Sequence, residues 1–256
     1  MLSRHIFYIK AFVLLFIIAA PCIGNSPREL LEKANEAYAQ NEYAYAAELY
    51  EQVLEEGYEA AGLYYNLGNA YFRNDKIAKA ILNYERAKRL NPKDENILFN
   101  LHVARTHIVD RIEPVPKLFY EQWWQSLITL QSEKGWAITA IIFVLALFAS
   151  LIWFFVSSRS FFKKTAFILS LVFITTTSLS LVFAQKQYNK LTDGNEAIVF
   201  TPRLTAKSAP DVSSPDLFVI HQGTKVEIRQ ELGEWYEIKL ANGNIGWVRK
   251  DNLEVI

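Results

Sequence analysis

The sequence predicts a multidomain protein: an all-α repeat superhelix, two transmembrane helices and a small all-β barrel, in that order. Three observations carry this. Between Asn25 and Glu113, small and apolar residues recur at helical spacing in steps of 34 residues. Residues 137–156 and 166–184 are apolar runs of the length, roughly 20 residues, that a bilayer-spanning helix needs. From Glu196 onward the apolar period drops to two, with turn residues between short runs.

Composition narrows the function. The 256 residues carry 27 basic and 27 acidic side chains, a balance that gives no sign of nucleic acid or of a strongly basic partner. Cys22 is the single cysteine, so neither a disulfide framework nor a cysteine-based metal site is expected.

Residues 1–24 have the layout of a secretory signal peptide: Arg4 and Lys10, an apolar run to Ala20, a helix-breaking Pro21, then Cys22 and Gly24 as small residues before a cut at Asn25. Two alternatives stand beside it. An uncleaved helix would add a span, and lipid attachment at Cys22 is disfavoured by Pro21 just before it.

The repeat region, residues 25–113, is clearest from Ala61. Tyr64, Leu67, Gly68 and Tyr71 share a face of one helix, and Ala80, Tyr84 and Ala87 share a face of the next; a polar turn at residues 74–76 separates them and Pro92 ends the second. Gly68 and Ala80 are small where two antiparallel helices come closest. This pattern resembles the tetratricopeptide repeat (TPR) at its diagnostic positions. Thirty-four residues earlier, Leu30, Ala34, Ala37, Ala46, Tyr50 and Val53 hold the equivalent places, so repeats are expected over about 27–60 and 61–94. Lys33 departs from the pattern, as an edge repeat with a solvated face allows. A capping helix over 94–111 starts at the acidic Asp94-Glu95 and carries Ile97, Leu98, Leu101, Ala104 and Ile108.

Residues 114–136 hold Phe119, Tyr120, Trp123, Trp124 and Trp136 directly before the first span, the place of an interfacial aromatic belt. A small helix packed on the repeats is the alternative. Arg159, Lys163 and Lys164 lie in the connection 157–165, which the positive-inside rule puts in the cytoplasm; both flanking soluble parts then lie on the far side. Thr175, Thr176, Thr177 and Ser178 in the second span are expected to bond preceding carbonyls or a neighbouring helix.

In residues 196–256, five short strands are expected at 197–200, 217–220, 225–229, 235–240 and 244–248, with Asn242-Gly243 as a hairpin turn between the last two. The stretches Gly223–Ile228, Gly233–Ile238 and Gly246-Trp247-Val248, with Leu253, resemble the bacterial SH3-like (SH3b) domain.

Chemistry finds little support. No His-Glu-x-x-His pair, glycine-flanked serine elbow or phosphate-cradling loop occurs, so no enzyme and no cofactor is expected. His102 and His107 are five apart on one helix, and His221 is far away in the barrel, so no convergent metal ligands are expected either. Binding surfaces are better supported. The TPR resemblance puts Leu31, Asn35 and Tyr38, then Tyr65, Asn69, Phe72 and Arg73, on the inner face of the first helices, with Asn66 beside them. Asn35, Asn66 and Asn69 suit an extended peptide backbone and Tyr38, Tyr65 and Phe72 its apolar side chains; repeat consensus alone would also place some of them. Leu31, Asn96 and Asn100 stand where carboxylate-clamp TPRs carry basic residues, so capture of a free C-terminus is not expected. In the barrel, Trp235 and Trp247 are candidates for an SH3b ligand patch or for the core edge.

Signal segment, two TPR units, two spans and SH3b module occur in this order in the BatE-type proteins of the Bat (Bacteroides aerotolerance) set, which the chain resembles along nearly all its length. The resemblance implies an inner-membrane, periplasm-facing adaptor that works with von Willebrand A-type Bat membrane proteins and a MoxR-type ATPase. A sensor binding peptidoglycan through the SH3b module is the alternative.

Overall fold

The computed structural model describes residues 26–116, 118–192 and 194–256, which divide into two compact units, one ending at Glu59 and the other running from Ala60 to Ile256. The signal segment expected over 1–24 lies outside the described residues.

The first unit is a helical hairpin. Helix α1 (Pro27–Ala39) begins in a capping box: the Ser26 hydroxyl accepts from the Glu29 amide, and the Glu29 carboxylate accepts from the Ser26 amide. Its buried stripe is Leu30, Ala34 and Ala37, and α2 (Tyr43–Glu55) buries Ala46, Ala47, Leu49, Tyr50 and Val53. Asn41 turns the chain between them at φ 65°, and the Glu42 amide donates to the Ala37 carbonyl at 2.9 Å.

The second unit opens with α3 (Ala61–Arg73), α4 (Ile77–Leu90) and α5 (Glu95–Thr106). Asp75, 34 residues after Asn41, repeats the same turn at φ 57°, with the Lys76 amide on the Tyr71 carbonyl at 2.9 Å. Asn and Asp tolerate this left-handed conformation because their short polar side chains bond locally. Gly68 faces the ring of the buried Tyr84; a Cβ there would stand 2.7 Å from two ring carbons. Close approach therefore requires the glycine. Gly68→Ala should cost about 1–3 kcal/mol in overpacking against up to about 1 kcal/mol gained in helix propensity. A melting temperature lowered by a few degrees checks this; an unchanged one would mean that the Tyr84 ring has room to move. Asp94 caps α5 by accepting from the amides of Asn96 and Ile97, and the helix buries Ile97, Leu101 and Ala104, while Leu98 of the expected stripe is exposed.

Helix α6 (Phe119–Ile128) precedes α7 (Glu133–Val156) and α8 (Ser160–Thr192). Each of the last two holds an 18-residue stretch apolar enough to cross a membrane, with mean hydropathy 2.7 in α7 and 2.1 in α8. Only residues 157–159 separate them, so they fold back as an antiparallel hairpin, paired by Phe143 on Phe173, Phe154 on Phe167 and a 2.7 Å bond between the hydroxyls of Ser150 and Ser170. Thr175 and Thr176 donate to the carbonyls four residues back, while the buried Thr177 hydroxyl has no partner among the described residues.

The chain ends in one antiparallel seven-stranded sheet, ordered β3-β2-β6-β5-β4-β1-β7. Its strands are β1 (Glu196–Val199), β2 (Arg203–Lys207), β3 (Asp216–His221), β4 (Lys225–Leu232), β5 (Trp235–Lys239), β6 (Ile245–Arg249) and β7 (Leu253–Val255). The core collects Ala197, Val199, Leu204, Ala206, Ile220, Val226, Ile238, Leu240 and Val248. Strands β2 and β7 go beyond the five expected: β2 buries only Leu204 and Ala206 between polar residues, and β7 has three residues, so neither has a run of period-two apolar residues to announce it. Gly243, at φ 91°, makes the β5–β6 turn expected from Asn242-Gly243, its amide donating to the Leu240 carbonyl at 2.9 Å.

Candidate functional site

The first-helix face of each helical unit is held by a tyrosine and an asparagine. In the first unit the Tyr50 hydroxyl donates to Asn35 Oδ1 at 2.7 Å; in the second, 34 residues on, Tyr84 donates to Asn69 Oδ1 at the same distance. Burial, and then the neighbouring Tyr38, pushes the Tyr50 hydroxyl up to about 12, so it remains a donor. Asn35 and Asn69 thus use their side-chain oxygens inside their own repeats. Asn69 is shared further, since Asn100 Nδ2 donates to its oxygen at 2.8 Å and to the Tyr65 hydroxyl at 3.0 Å. The position where a carboxylate clamp would carry a cation therefore holds a neutral amide that ties α5 to α3.

The aromatic candidates are likewise seated without being buried. Tyr38 meets Tyr43 edge to face at 5.2 Å in the first unit; in the second, Tyr65 lies 6.0 Å from Tyr84, and Phe72 meets His107 edge to face at 5.3 Å. Leu31 and Asn66 are half-buried and Arg73 is exposed. The second unit therefore brings Tyr65, Asn66, Asn69 and Phe72 together on α3, with Asn100 of α5 and His107, the residue that caps its C-terminal end, beside them. Spacing along the chain gave no signal for these last two, because they act across helices.

In the sheet, antiparallel register decides the tryptophans. Trp235 pairs with Arg249, Glu237 with Trp247 and Lys239 with Ile245, while Lys207 of β2 pairs with Trp247. Directly paired residues point to one side. Trp235 and Trp247 therefore share the face opposite the buried Ile238 and Val248, both of them half-exposed among Lys207, Glu237 and Arg249.

A third feature was not legible in the sequence: the sheet domain is clasped to the second helical hairpin and the segment after α5. Glu85 on α4 is 3% exposed and carries Lys225 Nζ at 2.9 Å on one carboxylate oxygen and Arg105 on the other. Lys225 also reaches Glu196 at 2.6 Å. Asp110, just past α5, accepts from the His221 amide (2.6 Å) and the Thr224 hydroxyl (2.6 Å), with His221 Nδ1 at 2.8 Å. Arg86 donates to the Val255 carbonyl at 2.9 Å and Arg89 to that of Ile256. Ile112 packs on the sheet core and the Val115 amide donates to the Ala241 carbonyl at 3.0 Å.

Residues 31–95 match the family model of the tetratricopeptide repeat, and residues 203–254 match that of the bacterial SH3 domain. The helical region is TPR-like and the C-terminal sheet is SH3b-like. Among solved structures, the Sgt2 TPR domain from Aspergillus fumigatus is 28% identical over 32% of this chain and 55% of that one, with a TM-score of 0.30. The chain thus spans about half the length of that domain. No curated protein sequence matches significantly.

The TPR–SH3b clasp responds to acid in a predictable direction. Burial raises the Glu85 carboxyl, but Lys225, Arg105 and Lys88 outweigh it and hold it below its ordinary value. Burial likewise raises Asp110, and the hydrogen bonds from Thr224 and His221 outweigh it. Both carboxyls bind protons more readily unfolded than folded, so their contribution is complete above the ordinary carboxylate range and is lost as pH falls through their lowered values. Melting temperature of the second unit should hold from neutrality to about pH 5 and fall steeply below about pH 4. Glu85→Gln with Asp110→Asn should flatten that acid limb; an unchanged limb would place its cause elsewhere.

Proposed function

We propose that this chain is a membrane-anchored, periplasm-facing protein–protein adaptor of a bacterial envelope complex of the Bat type, with a role in aerotolerance or envelope stress. The observation that carries the reading is the union of two interaction modules, TPR-like and SH3b-like, with a hairpin of two membrane-length helices. A hairpin returns the chain to the side it left, which agrees with the contact between the SH3b-like domain and the second TPR-like hairpin. Arg159, Lys163 and Lys164 sit at the tip of that hairpin, which supports a cytoplasmic tip and periplasmic modules. On this reading the α3 face, with Tyr65, Asn66, Asn69, Phe72 and Arg73, takes a short peptide stretch or one helix of a von Willebrand A-type membrane partner. Leu31, Asn35 and Tyr38 form the corresponding face of the first unit. With Asn100 in place of a cation, a free C-terminus is not the ligand.

A photoreactive residue at position 65 or 72, cross-linked in native membranes and identified by mass spectrometry, tests this. Capture of an envelope membrane protein at both positions supports the adaptor; capture of cytoplasmic proteins overturns the orientation.

The shared face of Trp235 and Trp247 supports a second reading, a sensor that binds peptidoglycan through the SH3b-like domain. Co-sedimentation of the detergent-solubilised chain with isolated cell wall decides it. Binding lost in Trp235→Ala with Trp247→Ala supports the sensor, and a chain that stays in the supernatant removes it.

A further inference from the structure

The geometry points to α6 as an in-plane membrane helix, its Phe119–Trp123 stripe seated in the lipid interface and its Trp124–Ile128 stripe fastened to the membrane hairpin. This rests on the reading of α7 and α8 as spans. The fastening is specific. Trp124 packs edge to face on Phe183 at 5.3 Å, Trp136 packs on the same ring at 4.9 Å, and Ile128 is buried. The carbonyl of Ile128, at the end of α6, accepts from Trp136 Nε1 at 2.8 Å and from Gln187 Nε2 at 2.9 Å, and Gln187 also reaches the Gln131 carbonyl at 2.8 Å. Side chains of both long helices therefore hold the C-terminal end of α6.

The place of attachment sets the depth. Trp136 immediately precedes the apolar run of α7, and Gln187 follows that of α8, so α6 is tied where both helices leave their apolar stretch. Lys186 lies 5.9 Å from the Trp124 ring at the same level. Tryptophan, lysine and glutamine at that level are what an apolar–polar boundary selects.

The remaining surface of α6 fits only one side of that boundary. Phe119 is 84% exposed and Trp123 63%, one turn apart on one stripe, with Leu118 and Leu130 exposed at its ends. Glu121 and Gln125 occupy the opposite arc, with Gln122 on the flank. Ile138, Ile141 and Leu145 of α7 are exposed as well. The level of attachment selects lipid as the occupant, since a helix with an exposed aromatic stripe and a polar back, tied where two membrane-length helices leave their apolar stretch, lies in the interface plane.

Site-directed spin labelling tests this on the full chain carrying Cys22→Ser, in bilayers of phosphatidylethanolamine and phosphatidylglycerol. Labels replace Phe119, Trp123, Glu121 and Gln125 one at a time, with Leu145 as the span control. Labels at 119 and 123 should read an oxygen-rich, nickel-poor depth of about 5–10 Å inside the headgroup boundary, and those at 121 and 125 should read water. All four in water with 145 in lipid overturns the in-plane helix and leaves the spans standing. All four shielded from both reagents also overturns it, since protein would then cover the stripe. A label at 145 that reads water overturns the span reading and this inference with it.

Discussion

Glu85→Ala should destabilise the second unit by about 3 kcal/mol, the lower end of the range for removing one partner of a buried ion pair. Glu85 is the buried member of the clasp, whereas Arg105 stays half in solvent and Lys225 keeps Glu196, so neither cation is stranded completely. The loss should appear in denaturant unfolding of the full chain in micelles, with faster proteolysis in residues 107–116. A contrasting variant gives the mechanism. Glu85→Leu with Lys225→Met removes both charges, and because well-packed apolar replacements of a buried pair are often neutral, it should recover much of the stability. Glu85→Ala costing less than about 1 kcal/mol would place the cluster among solvated surface pairs and leave the clasp to Asp110.

Gly223→Ala should cost about 2–5 kcal/mol and loosen the SH3b-like domain from the helices without unfolding its own core. Two effects add here. Gly223 holds φ 89°, and an added Cβ would meet Ile108 Cγ2 at 2.5 Å and Ile81 Cδ1 at 3.4 Å. Ile108 is β-branched and cannot swing its methyl away cheaply. Gly233→Ala is the matched control. That glycine also has a positive φ, 56°, but nothing lies within 4 Å of its added carbon. The control should lose only the backbone share, about 1–2 kcal/mol. Equal losses at both glycines would show that the seat between Ile81 and Ile108 contributes nothing; a larger loss at 223 measures it.

The TPR-like and SH3b-like elements were legible because each is specified by local periodicity. A small residue at Gly68, a stripe of Leu30, Ala34 and Ala37, and Asn242-Gly243 between alternating strands each read without knowledge of a distant partner. The short strands β2 and β7 were not legible, since two buried residues or three paired ones make no pattern. The site divides in the same way. Alternation puts Trp235 on the face away from Tyr236 and Ile238, but that Trp247 shares this face follows from the β5–β6 register. Asn35 and Asn69 stood out as ligand-facing amides, yet their oxygens accept from Tyr50 and Tyr84 across each hairpin.

Local sequence thus specifies the set of modules, their order and the two membrane-length helices, because turn chemistry, repeat spacing and apolar run length are properties of neighbouring residues. That the second helical hairpin and the C-terminal sheet are one clasped body, and that α6 is tied to the α7–α8 hairpin, follows only from contacts made across the fold. Glu85 and Lys225 are 140 residues apart, and Asp110 and His221 are 111 apart. Each reads alone as an ordinary surface residue, and a buried charge cluster exists only once folding brings its members together and removes the water between them.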